Sequence, residues 1–92
     1  MILSFSDKDT EELFRTERNK RFSQISRVAA CKLTALHASE DLADLLVPPG
    51  NRLEALKGKR AGWHSIRIND QWRIIFRWTE KGPSDVAITD CH

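Results

Sequence analysis

Apolar positions recur at helical spacing in the first half of the chain and alternate in the second half. Ile2-Leu3-Ser4-Phe5 predicts a short first strand. Asp9-Thr10-Glu11-Glu12 has the spacing of a capping box, so a short helix burying Leu13 and Phe14 is expected after it. Ser23 suits the cap of a second, longer helix. There Ile25, Val28, Ala29, Leu33 and Leu36 form one apolar stripe, with Arg27 and Lys32 pointing outward. Cys31, in the middle of that helix, is expected to pack as a small apolar residue. Ser39 suits the cap of a third, short helix through Leu42, Leu45 and Leu46, which Pro48-Pro49-Gly50 stops.

Beyond Gly50 the period becomes two. Leu53-Glu54-Ala55-Leu56-Lys57 reads as a short strand leading into a basic loop. In Trp63-His64-Ser65-Ile66-Arg67-Ile68 one face carries His64, Ile66 and Ile68, which makes His64 a histidine of the core or its margin. In the run from Trp72 to Trp78 the apolar face is Trp72, Ile74, Phe76 and Trp78, and Arg73, Ile75 and Arg77 face the other way. Asp85-Val86-Ala87-Ile88-Thr89-Asp90 is a weaker last strand. Helices followed by a meander of strands predict an α+β domain, with N-terminal helices packed on a small antiparallel sheet.

The turn between the two central strands sets their register. A two-residue turn at Asn69-Asp70 would put Ile66 opposite Arg73 and mix the faces. A three-residue turn, Asn69 to Gln71, pairs Ile68 with Trp72, Ile66 with Ile74 and His64 with Phe76. A uniform buried face selects the second, because a slip of one residue inverts a whole strand. Arg67 then stands opposite Arg73, and Trp63 opposite Arg77 as a stacking pair. Like charges facing each other across a strand pair are destabilising. An anion bound between them would relieve that repulsion.

At 92 residues the expectation is a single domain over the whole chain, 1–92. Cys31 and Cys91 match no zinc spacing, and free thiols suit a reducing cytoplasm. The start Met1-Ile2-Leu3-Ser4-Phe5-Ser6 does not read as a secretory signal, and no apolar run approaches a membrane span. Net charge is only +2, but residues 51–82 carry +5 while residues 1–50 carry −1 and residues 83–92 carry −2. A basic segment on a nearly neutral chain points to a local polyanion site.

RNA is cut without a metal by three groups: a base for the 2′-hydroxyl, a cation for the charge gathering on phosphorus, and an acid for the leaving 5′-oxygen. His37, His64 and His92 lack ligand spacing, so neither a metal nor another cofactor is expected. Arg73 is the candidate cation. His92 is the candidate acid, its own α-carboxylate favouring the imidazolium. Glu54 and Asp90 are the candidate bases. Glu54 equally fits a surface ion pair with Lys57 or Arg52, and Asp90 equally fits a role orienting His92 or holding Arg73. Lys57, Lys59, Arg60, Arg67 and Arg77 are candidate phosphate contacts, and Trp63 is placed to stack on a base.

These residues resemble a known family. Leu53-Glu54-Ala55-Leu56-Lys57-Gly58, Trp63-His64-Ser65-Ile66-Arg67-Ile68-Asn69, Gln71-Trp72-Arg73-Ile74-Ile75-Phe76 and the ending Asp90-Cys91-His92 are similar to HigB-type toxins of the RelE/ParE superfamily. The resemblance implies a RelE-like fold and ribosome-dependent cleavage of translated mRNA in the A site. It implies a cytoplasmic toxin neutralised by a HigA-like helix-turn-helix antitoxin, with operator DNA bound only through the complex. Arg73, Asp90 and His92 match the pattern. Two positions depart from it: Glu54 stands where many of these toxins have histidine, and Cys91, among the RNA-contacting positions, stands where many have tyrosine. Reduced activity would result, since a thiol cannot stack on a base. Two other readings share the fold: a ParE-like gyrase inhibitor, which would not need Asp90 and His92, and a weakly catalytic module that binds antitoxin.

Overall fold

The computed structural model describes residues 1–90. Two helices, α1 (Lys8–Thr16) and α2 (Ser26–Ala38), precede four strands: β1 (Glu54–Ala55), β2 (Trp63–Arg67), β3 (Trp72–Thr79) and β4 (Gly82–Asp90). The strands form one antiparallel sheet in the order β1-β2-β3-β4. This is the α+β arrangement that the change of period predicts.

The register argued from the turn is the one the sheet adopts. Ile66 faces Ile74, His64 faces Phe76, Trp63 faces Arg77 and Arg67 faces Arg73. Ile74 in turn faces Ile88 on β4. Ile66, Ile74 and Ile88 thus make a row across three strands, each at most 2% exposed. Leu13, Phe22, Leu33 and Leu36 close over that face. His64 is half-buried on the same side, with its ring stacked 6.1 Å from that of Phe76.

The helices begin elsewhere than the pattern of capping residues suggests. α1 is capped by Asp7, two residues ahead of Asp9: its carboxylate accepts the Thr10 N–H at 2.7 Å. Thr10 is fully buried, and its hydroxyl donates to Asp7 and accepts the Ile88 N–H at 3.0 Å. The cap therefore sits where it also satisfies a backbone donor of β4. α2 starts at Ser26 after a 3₁₀ turn, Lys20–Phe22, and Ser23 closes that turn instead of capping the helix. Ser39 likewise ends α2, donating to Leu36 O, while Asp41 caps a 3₁₀ turn, Leu42–Leu46. Asp44 completes a capping box there, and the N–H groups of Glu40 and Asp41 hold its carboxyl below the ordinary carboxylate range. On α2 the buried stripe is Ala29, Ala30, Leu33 and Leu36, continued from Ile25. Val28 is 46% exposed and Cys31 is exposed, so neither packs in the core as expected. α2 packs chiefly against α1, and Ala30 completes its inward face.

Ile2-Leu3-Ser4-Phe5 forms a parallel bridge to the edge of β4 and not a full strand. Leu3 N–H donates to Pro83 O at 2.8 Å and Ser6 N–H to Val86 O at 2.9 Å. This covers a sheet edge otherwise open to pairing with another chain. Gly82, at φ 135°, permits the approach, since a Cβ there would lie 2.5 Å from Met1 O.

Thr10→Val keeps the shape of the side chain but removes the acceptor of the Ile88 N–H. A loss of about 2 kcal/mol is expected in urea unfolding, because a buried donor is left without a partner. A stability unchanged from wild type would show that the link between α1 and β4 contributes nothing.

Candidate functional site

The sheet face away from the helices carries the charged side chains. Opposite residues in the register share a face, so Glu54 and Ser65, Arg67 and Arg73, and Trp63 and Arg77 all lie on it. Arg73 is held from two positions on the segment leading into β1. One guanidinium nitrogen donates to Glu54 Oε2 at 3.3 Å, and another donates to Arg52 O at 3.3 Å. Only 22% of the Arg73 side chain is exposed, against 55% for Glu54. Arg67 pairs with Asp70 in the turn. The repulsion between Arg67 and Arg73 is thus relieved by two carboxylates of the chain itself.

Arg52, Glu54, Arg67, Asp70 and Arg73 line a cleft of about 230 Å³. Three guanidinium groups meet two carboxylates there. Arg52 is in no ion pair among the described residues. The cleft therefore keeps a surplus positive charge, suited to a phosphodiester. Glu54 partners Arg73, in place of the Lys57 or Arg52 that its sequence neighbourhood offers.

The segment carrying Arg52 and Glu54 is pinned from below. Asn51 is 2% exposed. Its amide donates to Leu45 O at 3.1 Å and to Val47 O at 3.4 Å, and its carbonyl oxygen accepts Lys32 Nζ. Lys32 is accordingly half-buried, not outward as the helical pattern implies. Arg52 comes next with φ 46°, a left-handed backbone that non-glycine residues seldom adopt, and presents its carbonyl to Arg73. Asn51, Ser65 and the carbonyl of Arg52 are the parts that sequence reasoning missed. Asn51 sits beside Pro48-Pro49-Gly50 and looks like one more turn residue, and its partner Lys32 lies on a distant helix.

The remaining candidates spread outward from the cleft. The basic loop forms a 3₁₀ turn, Gly58–Arg60, with Lys57 at its start and all its residues exposed. The Arg60 guanidinium lies 5.0 Å from the centre of the Trp63 ring. Arg60, and not Arg77, is therefore the cation over Trp63. Arg77 pairs with Asp85 at 3.3 Å. Asp85 sits at φ 53°, where two β4 residues oppose one on β3. Asp90 ends β4 opposite Trp72, one position beyond the residue facing Arg73, and its carboxylate accepts Gln71 Nε2 at 3.1 Å. Cys91 and His92 lie outside the described residues. No group of three His, Cys, Asp or Glu side chains that could hold a metal is found among the described residues.

Residues 3–92 match the family model described as the RelE-like toxin of type II toxin–antitoxin system HigB. The chain is a HigB-like toxin of the RelE-like family. It is 42% identical over 82 residues to Toxin HigB-1 of Vibrio cholerae, covering 87% of this chain and 86% of that protein. It is also 43% identical over 56 residues to an uncharacterised protein of Haemophilus influenzae, covering 61% of this chain and 55% of that one. As a HigB-like toxin of a type II system it belongs with an antitoxin. No helix among the described residues is long and apolar enough to cross a membrane.

Asn51→Ala strips Leu45 O and Val47 O of their donor and leaves Lys32 without its acceptor. The expected cost is about 2–3 kcal/mol in chemical unfolding. Hydrogen exchange should quicken first between residues 45 and 54, ahead of the strands. Uniform loss of protection across the sheet would contradict a local clamp.

Proposed function

We propose that this HigB-like toxin is a metal-independent endoribonuclease that cuts translated mRNA in the ribosomal A site and so halts translation and growth. The observation that carries the reading is the cleft around Arg73. An arginine fixed on a central strand lies beside a carboxylate, on the face away from the core, in a cleft lined by two further arginines. A cation and a carboxylate side by side support a reading in which they share phosphodiester chemistry.

In this mechanism Glu54 takes the proton of the 2′-hydroxyl, and the 2′-oxygen attacks the adjacent phosphorus. Arg73 balances the charge gathering on the phosphoryl oxygens. A guanidinium fits two of those oxygens at once, which a lysine cannot do. His92 gives its proton to the leaving 5′-oxygen, producing a 2′,3′-cyclic phosphate and a free 5′-hydroxyl. Asp90, two residues before His92, orients that imidazole. Glu54 stands where the HigB pattern has histidine, so it serves as a base and leaves the acid step to His92.

Lys57, Lys59, Arg60, Arg67 and Arg77 hold phosphates of the mRNA and of ribosomal RNA. Trp63, with Arg60 above its ring, stacks on a base, and Cys91 is among the RNA contacts. A HigA-like helix-turn-helix antitoxin silences the toxin, and operator DNA is bound only through that complex. The protein works in the cytoplasm, where translating ribosomes are.

Primer extension on a translated reporter mRNA after brief induction tests the centre of this reading. Wild type is expected to cut at in-frame positions, and Arg73→Ala should reduce cutting by about a hundredfold or more. Growth arrest with intact mRNA would favour the gyrase-inhibitor reading, and neither cutting nor arrest would favour a module that only binds antitoxin. Lys59→Gln should weaken ribosome binding without changing where the cuts fall. It should also flatten the log–log salt dependence by about 0.7, the contribution of one phosphate contact on a single strand. An unaltered slope would remove Lys59 from the phosphate contacts.

A further inference from the structure

Two buried polar atoms near the cleft have no hydrogen-bond partner among the described residues: the hydroxyl of Ser65 and the Nε of Arg73. Ser65 is 1% exposed. Buried polar groups without partners are rare and ask for an explanation. These two share a face. Ser65 stands directly opposite Glu54 across β1 and β2, and one step diagonally from Arg73 across β2 and β3. Directly opposed side chains in such a ladder have Cβ atoms about 4.5–5.5 Å apart. A serine hydroxyl is therefore within reach of the Glu54 carboxylate after a rotamer change. In the resting arrangement Glu54 leans to Arg73 instead, and both bonds that hold the guanidinium are long, at 3.3 Å each.

One rearrangement satisfies both orphans. We propose that Ser65 is a positioning residue for Glu54: when Arg73 turns its Nε edge to an RNA phosphate, the carboxylate leaves the guanidinium and accepts the Ser65 hydroxyl. The phosphate takes the place of Glu54 on Arg73, offering oxygens to Nε and a terminal nitrogen together. Glu54, released from the cation, is held by a neutral donor through one oxygen and keeps acceptor capacity for the 2′-hydroxyl proton. The resting pair keeps the base masked until a phosphate arrives. This inference rests on the reading of Glu54 as the base.

The test is cleavage of translated mRNA on ribosomes by the full-length toxin, at saturating and sub-saturating toxin, alongside thermal unfolding. Ser65→Ala removes a hydroxyl that is unpaired at rest, so Tm should hold or rise. The saturated cleavage rate should fall about tenfold, the worth of one hydrogen bond to a charged group, with half-saturation unchanged. Ser65→Thr restores a hydroxyl on a side chain that suits a strand, and should recover most of the rate. Cleavage by Ser65→Ala at the wild-type rate would overturn the proposal. So would a lowered Tm with loss of rate only in proportion to unfolded protein, which marks a structural serine. If Glu54→Gln cuts as fast as wild type, the base assignment fails and this proposal with it. If Glu54→Gln is inactive while Ser65→Ala is unaffected, the base stands and only the role of Ser65 is overturned.

Discussion

The row Ile66–Ile74–Ile88 decides the rest of the molecule. Each of these side chains is shut away from water beneath the helices, and each occupies a position that a one-residue slip would turn to solvent. Burying an isoleucine is worth about 1.5–3 kcal/mol, so exposing even one strand's share would exceed what any surface ion pair returns. The hydrophobic face therefore dictates the register, and the opposite face must accept the pairings that this register imposes. One of them sets Arg67 directly against Arg73. The charges of the cleft are thus set by packing on the far side of the sheet.

The chain resolves the resulting repulsion locally and asymmetrically. Asp70 comes from the turn that sets the register, while Glu54 comes from a two-residue edge strand. Both carboxylates are more exposed than the arginines they serve. Exposed partners are weakly held, because water competes for them and holding a long side chain costs entropy. Such pairs are strong enough to keep two guanidiniums side by side at rest, yet weak enough to exchange partners. Arg73 itself is kept in place by its strand and by the carbonyl of Arg52, not by the carboxylate alone.

The sheet was legible in the sequence because its information is local: alternation, one turn length, and the demand for a single apolar face. That is how the Arg67–Arg73 opposition and the place of Glu54 on a short strand are visible without coordinates. The helix starts are less legible. Several residues near each boundary have capping side chains, and the choice among them is made at a distance: Asp7 prevails over Asp9 where Thr10 must also meet Ile88 of β4. Ser23 and Ser39 have the right chemistry in the wrong place, Ser23 closing the preceding 3₁₀ turn and Ser39 ending α2. Val28 and Cys31 fit the helical period but stay exposed, and Ala30 completes the buried stripe instead. Asn51 was illegible for the same reason, since its burial depends on Lys32 from α2.

The parts of the site differ in how firmly they are held, and that difference bears on how it works. Arg67, Arg73 and Ser65 stand on central strands whose backbone bonds are shared on both sides. Glu54 stands on an edge strand only two residues long, fed by a segment that one buried asparagine pins down. A catalytic cation gains from rigidity, since charge stabilisation weakens when the charge wanders. A base that starts in an ion pair needs to move, and an edge strand beside a clamped loop lets the side chain change partner without disturbing the register. The rigid central strands and the short edge strand fit the proposed exchange, in which Arg73 turns its side chain on a fixed strand and the carboxylate changes partner.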